Sequence, residues 1–324
     1  MKSRIGLLAG ALAAAAALVA APVSIADAAL TTSCVGEAGA VTVPGDLVVP
    51  AGKSCVLDGT TVEGRVTVRS GADLVVTNGT FNDRVVVQAN GYLDLTDTTV
   101  AGRVVSQGGY GTYAAGSSIQ GYTENASSDV TPFLYAENVD VESTVVAKGG
   151  ELFFTGGTAR AITAENVVYA DVINSTLTRT LAVSNAEFGT QVCASEVDGD
   201  ATFEGNAGVQ LGSGALFGTC DGGSNYFGGN VTVNNSTEGV EVNGNIVRGN
   251  LAGTGNDPAP TGADNRVRGA QEGQFAELQA PAAAKMSKMS KSAVASHDDE
   301  IKASAKERKG SATAAAAAAG PANL

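Results

Sequence analysis

The chain has 324 residues, 42 of them Gly and none of them Trp, with a net charge of −13 at neutral pH. So acidic a chain lacks the basic surface that supplies most nucleic-acid affinity, which excludes a general nucleic-acid binder. Aromatics at 5% exclude a wide aromatic core and leave a narrow one lined by Val, Leu and Ala.

In chain order, the first element is an address. Lys2 and Arg4 form a positive start, an Ala/Leu-rich run covers Ile5 to Ala21, and Ala26-Asp27-Ala28 offers a cleavage site. The run is short and mostly Ala, so residues 1–28 read as a signal peptide rather than an anchor. No membrane span is expected after cleavage. The expected address is secreted, extracellular or cell-wall associated.

Cys34, Cys55, Cys193 and Cys220 form two local pairs, 21 and 27 residues apart. An even count in a secreted chain argues for disulfides, and of three connectivities the local pairs Cys34–Cys55 and Cys193–Cys220 are expected. The competing reading, a zinc site, lacks any C-x-x-C spacing and any histidine in the body. The one histidine is His297.

From Asp46 the sequence repeats without a gap in four units of 19, starting at Asp46, Arg65, Arg84 and Arg103. Positions two, four, ten, twelve and seventeen of each unit are small or apolar. They are Leu47, Val49, Cys55, Leu57 and Val62 in the first unit, and Val66, Val68, Leu74, Val76 and Phe81 in the second. Two alternating pairs and a fifth apolar residue, punctuated by Gly, Asn and Asp, describe three short strands per unit. A repeat near 20 residues is the mark of a solenoid, in which each coil buries its inward side chains against its neighbours. The fold expected over 29–270 is therefore an all-β, single-stranded parallel β-helix of about 12 coils.

The period loosens between Tyr122 and Gly229 and returns in NVTVNNSTEGVEVNGNIVRG (230–249) and NLAGTGNDPAPTGADNRVRG (250–269). Asn230 aligns with Asn250 and Asn245 with Asn265, which suggests hydrogen-bonded Asn ladders at turns. This closing stretch resembles the secreted right-handed parallel β-helix proteins of actinobacteria. The resemblance implies a right-handed coil and brings no catalytic residues. One departure is Phe275, where such proteins tend to carry a Cys. Residues 271–324 turn to Ala, Lys and Ser, a composition with too little apolar bulk to order itself, and are expected to be a disordered tail.

For chemistry, KMSKS at Lys288–Ser292 matches a synthetase loop signature by chance, since its His-rich partner motif is missing. Asp198, Asp200 and Glu204 read as an acidic turn rather than a Ca²⁺ loop. No catalytic residue, metal or cofactor is assigned. The outward positions of the repeat carry Arg65, Arg69, Arg84 and Arg103, and five of the seven tyrosines, Tyr110 and Tyr113 among them, fall between 92 and 135. Such a face would suit an anionic polysaccharide or cell-wall polymer, with Arg on the charge and Tyr on the sugar rings. Two functions stay open: a non-enzymatic β-helix protein of the cell surface or matrix, and a polysaccharide lyase acting on uronate polymers with an Arg base.

Overall fold

In the computed structural model, described over residues 30–126, 130–214, 216–218, 220, 223–280 and 291–324 (side chains of the last segment from Asp298), the chain is a parallel β-solenoid. The expected signal peptide lies outside the described residues, as does most of KMSKS. The second strand of each coil builds one sheet of 12, from Gly36–Ala38 to Thr261–Ala263. We call this the second ladder. The first ladder stacks Thr31–Ser33, Asp46–Val49, Val66–Val68, Val85–Val87 and their successors, and the third stacks Thr42–Val43, Thr61–Val62 and Thr80–Phe81. First and third merge where the strands lengthen, as in Thr99–Gln107 and Asp140–Lys148.

The repeat works as the spacing demands. Val66, Val85 and Val104 are in register, as are Cys55, Leu74 and Leu93, and all six side chains are fully buried. Ten of the twelve coils leave the second ladder through one residue in the left-handed region, with φ from 48° to 71° at Gly59, Asn78, Asp97, Gly116, Asn138, Gly156, Asn174, Ala194, Gly244 and Asp264. Gly, Asn and Asp tolerate that conformation best, which is why they punctuate the repeat. Just inside this corner the polar residues stack. Asn225 Nδ2 donates to Asn245 Oδ1 at 2.9 Å, and Asn245 Nδ2 donates to Asn265 Oδ1 at 3.0 Å. On the outer edge, Asn230 Oδ1 accepts the Asn250 amide at 2.9 Å, so both expected Asn ladders form.

Both disulfides join the local pairs, with Cα–Cα distances of 5.7 Å for Cys34–Cys55 and 5.5 Å for Cys193–Cys220. They indicate an oxidising, extracellular environment. None of the described helices is long and apolar enough to cross a membrane. Opening Cys34–Cys55 by a double Ser substitution should cost about 3 kcal/mol by the loop-entropy relation for its 21-residue loop. Denaturant midpoints of the two proteins, measured without reductant, check this. A change below about 1 kcal/mol would show that the loop is already restrained in the unfolded chain.

The chain after the last coil differs from the compositional expectation. Residues Lys291–Ala319 form one helix, α1, which lies against the second ladder from Phe133–Glu137 back to Gly36–Ala38. Its rise of about 1.5 Å per residue turns the 19 steps from Ile301 to Gly320 into about 28 Å. The five coil spacings from Gly36–Ala38 to Phe133–Glu137, of about 4.8 Å each, give about 24 Å, close to that length, so α1 runs along the solenoid axis. Ile301, Ala305, Ala312 and Ala316 are its buried positions, spaced for one helical face. Apart from Ile301 that face is only Ala, which is why composition conceals it.

Candidate functional site

The outward side chains of the second ladder define the most elaborate surface of the molecule. Its central column runs Asp94, Tyr113, Tyr135, Phe153, Asp171, Gln191, Gln210 and Glu241, one residue per coil. Tyr113 stacks on Tyr135 with centroids 5.3 Å apart and planes at 13°, and Tyr135 on Phe153 at 4.9 Å and 15°. Beside this column Tyr110 meets Tyr92 and Phe133 edge to face at 6.2 and 5.8 Å, and Tyr92 and Phe133 lie tilted to each other at 6.5 Å.

Helix α1 covers this aromatic strip and is tied to it by charge as well as packing. Ile301 and Ala305 pack with Tyr92, Phe133, Tyr135 and Phe153. The Arg308 Nε donates to Asp73 Oδ1 at 2.7 Å, and its guanidinium lies 4.9 Å from the Tyr110 ring centroid. Lys309 Nζ donates to Asp94 Oδ1 at 2.8 Å, while the Tyr92 hydroxyl donates to Asp94 Oδ2 at 2.9 Å and lies 3.2 Å from the Ala305 carbonyl oxygen. Lys302 sits 5.1 Å from the Tyr135 ring centroid. Burial, reinforced by Asp94, pushes the Tyr92 phenol far up, and burial followed by Glu137 pushes Tyr113 up to about 12. These phenols are therefore donors, not bases, at neutral pH.

Farther along, a loop takes over the cover. The Phe217 amide donates to Gln210 Oε1 at 2.7 Å and the Leu216 amide to Glu241 Oε2 at 3.2 Å. The Cys193–Cys220 bridge staples this loop to its coil. Asp171 lies between helix and loop, its Oδ1 accepting the Gln191 amide at 2.9 Å. Burial raises its carboxyl to about 7 against that hydrogen bond.

The arginines lie elsewhere. Register aligns Arg65, Arg84 and Arg103 on successive coils at the start of the first ladder, with Arg69 at its far end. Arg65, Arg69 and Arg84 are exposed. Arg103 is half-buried and spent within the protein: Nη1 donates to the Tyr122 carbonyl and Thr123 Oγ1, both at 3.1 Å, and its guanidinium reaches Thr144 one coil on. Gly121 leaves room for it, since a Cβ there would approach Nη2 to 3.0 Å. The expected groove of Arg and Tyr together is thus divided. The arginines edge the first ladder, and Tyr110 and Tyr113 lie on the second beneath α1. Stacked rings also turn their faces toward each other, so this strip offers edges rather than faces to a sugar.

Tyr122 points into the core, where its hydroxyl donates to Glu124 Oε2 at 2.8 Å. Alternation alone would place both inward, but the period is already loosening there. The acidic turn serves the next coil: Asp200 Oδ1 accepts from the Asn230 amide at 2.7 Å, and Glu204 accepts from Asn234 and Asn235. No cluster of His, Cys, Asp and Glu fit to hold a metal ion occurs among the described residues. No protein-family model matches the chain, and neither a curated protein nor a solved structure matches it.

Proposed function

We propose that the chain is a secreted, non-enzymatic solenoid of the cell surface or extracellular matrix that binds an anionic polysaccharide or cell-wall polymer along its arginine edge. One observation carries this reading. Arg65 and Arg84 stand in register on adjacent coils, about 4.8 Å apart along the axis, and both are exposed. Like charges so placed repel unless an anion lies between them. Carboxylates beside them are engaged with other donors, Asp46 Oδ1 with the Arg65 backbone amide at 2.9 Å. Glu63 Oε2 accepts from Asn82 Nδ2 at 2.7 Å, and Asp83 Oδ1 accepts the Arg84 backbone amide at 2.7 Å. Among the described residues no ion pair joins Arg65 or Arg84 to a carboxylate. A polymer of carboxylates running along the solenoid axis supplies the missing charge, and Arg69 extends the same edge.

The test is affinity for polygalacturonate at low salt, by calorimetry, for wild type and the Arg65→Gln/Arg84→Gln double variant. The variant is expected to bind at least tenfold more weakly and with less salt dependence, at unchanged thermal stability. Wild type that ignores every anionic glycan at low salt refutes the reading. Release of unsaturated uronate ends, dependent on Arg84, would replace it with lyase chemistry.

A further inference from the structure

Helix α1 meets the carboxylates of the second ladder in two ways. Over Asp73 and Asp94 it brings a cation, Arg308 at 2.7 Å and Lys309 at 2.8 Å. Nearer its start it brings another carboxylate. Glu300 lies beside Glu151 of the strand Glu151–Thr155, and burial followed by this like charge raises the Glu151 carboxyl to about 7. Like charges opposed across a packed interface cost energy, and groups perturbed in this way gather where a ligand is held.

These two carboxylates line a cavity of about 200 Å³ between α1 and the ladder. Tyr110 and Phe133, edge to face at 5.8 Å, form its apolar wall together with Ile301. Gly111 makes room for that wall, since a Cβ there would collide with the Phe133 ring. None of the described side chains lining the cavity is cationic. Rings of this strip already receive cations from α1: the Arg308 guanidinium lies 4.9 Å from the Tyr110 centroid, and Lys302 lies 5.1 Å from that of Tyr135. Glu300 is exposed, so a ligand reaches the cavity with α1 in place.

We propose that this cavity binds an alkylammonium group, an amine carried on a short carbon chain, with Glu151 and Glu300 on the charge and Tyr110, Phe133 and Ile301 on the chain. Carboxylates joined to aromatic rings suit an organic cation, whose carbon atoms need an apolar wall. A metal ion suits the cavity less, because hard cations gather six or more oxygens and much of this lining is carbon. The volume admits a head group with a few carbons and not a polymer. A free amine and the lysine side chain of a peptide share this chemistry. The site lies beside α1, apart from the arginine edge, and does not depend on it.

The test titrates the full chain with n-butylammonium at pH 8, above the raised value of Glu151, and follows amide chemical shifts. Saturable shifts are expected at Thr131, Phe133, Ile301 and Ser304. Glu300→Gln, a change at an exposed helix position, should weaken binding about fivefold, the effect of one partly exposed charge partner. Glu307→Gln, on the same helix but outside the cavity, should leave binding unchanged, as should Arg65→Gln/Arg84→Gln. Butanol, a similar chain without the charge, should not bind. Nα-acetyl-lysine methylamide separates the two sources: tighter binding than butylammonium assigns the site to a peptide lysine, and equal or weaker binding assigns it to a free amine. Shifts that never saturate, or that spread over the whole acidic surface, overturn the proposal. So does binding that survives Glu151→Gln combined with Glu300→Gln, and so does displacement of the amine by Ca²⁺, which would make the site a metal site.

Discussion

Replacing Asp94 by Ala should lower stability by about 3 kcal/mol, the range for stripping one partner from a buried ion pair. Asp94 is 1% exposed and accepts from both the Lys309 ammonium and the Tyr92 hydroxyl. Its removal leaves a buried phenol donor without its carboxylate and an ammonium without its ion partner. Lys309 is 38% exposed and can turn to water, so the cost falls at the lower end of that range. The loss should be local as well as global. Amides of residues 298–319 should exchange orders of magnitude faster, while those of the second ladder beyond Tyr169 keep their protection. Lys309→Met combined with Asp94→Leu should restore most of the loss, because a matched apolar pair replaces a desolvated ionic one. Unchanged exchange along α1 in Asp94→Ala would mean that packing of Ile301, Ala305, Ala312 and Ala316 alone holds the helix.

The helix shows where sequence reading reaches its limit. Its anchors are pairs between residues 215 and 235 positions apart, Lys309 with Asp94 and Arg308 with Asp73, and no local period encodes such a contact. The coils are legible for the opposite reason. Every inward residue of the first four units repeats 19 positions on, and stacking turns that arithmetic into contact, as with Val62, Phe81 and Val100. Between Tyr122 and Gly229 the strands persist but the turns change length. Thr112 pairs with Leu134, Phe133 with Glu151 and Gly208 with Gly239, steps of 22, 18 and 31. A fixed period cannot follow insertions that the corners absorb. The candidate site fails in a similar way. Alternation told inward from outward correctly for Val66 and Arg65, but a coil of three strands has more than one outward face, and the repeat alone does not show which residues share one.

Stability should fall as pH rises from about 4 to about 7, because carboxyls are buried here in their neutral form. Glu124 lies inside the coil, and burial raises it to about 7 against the opposing hydrogen bonds from Tyr122 and Ser106. Asp171 is raised to about 7 by burial, and Glu151 to about 7 by burial and then by Glu300 on α1. For an acid raised in the folded state, the unfolded chain gives up its proton first as pH climbs. The folded state then binds more protons than the unfolded one, and stability declines until the folded group also titrates. The contribution of Glu124 is full below about 4.5 and spent above about 7. Each tenfold change in proton affinity is worth about 1.4 kcal/mol, so the swing is roughly 3 kcal/mol. Glu124→Gln keeps an acceptor for the Tyr122 hydroxyl and cannot ionise. Its unfolding free energy should therefore exceed that of wild type at pH 8 and match it more closely at pH 4.5. Urea titrations at half-unit pH steps give both curves. Parallel curves for the two proteins would show that Glu124 keeps the same ionisation folded and unfolded, and that the pH dependence belongs to Asp171 and Glu151, where α1 begins.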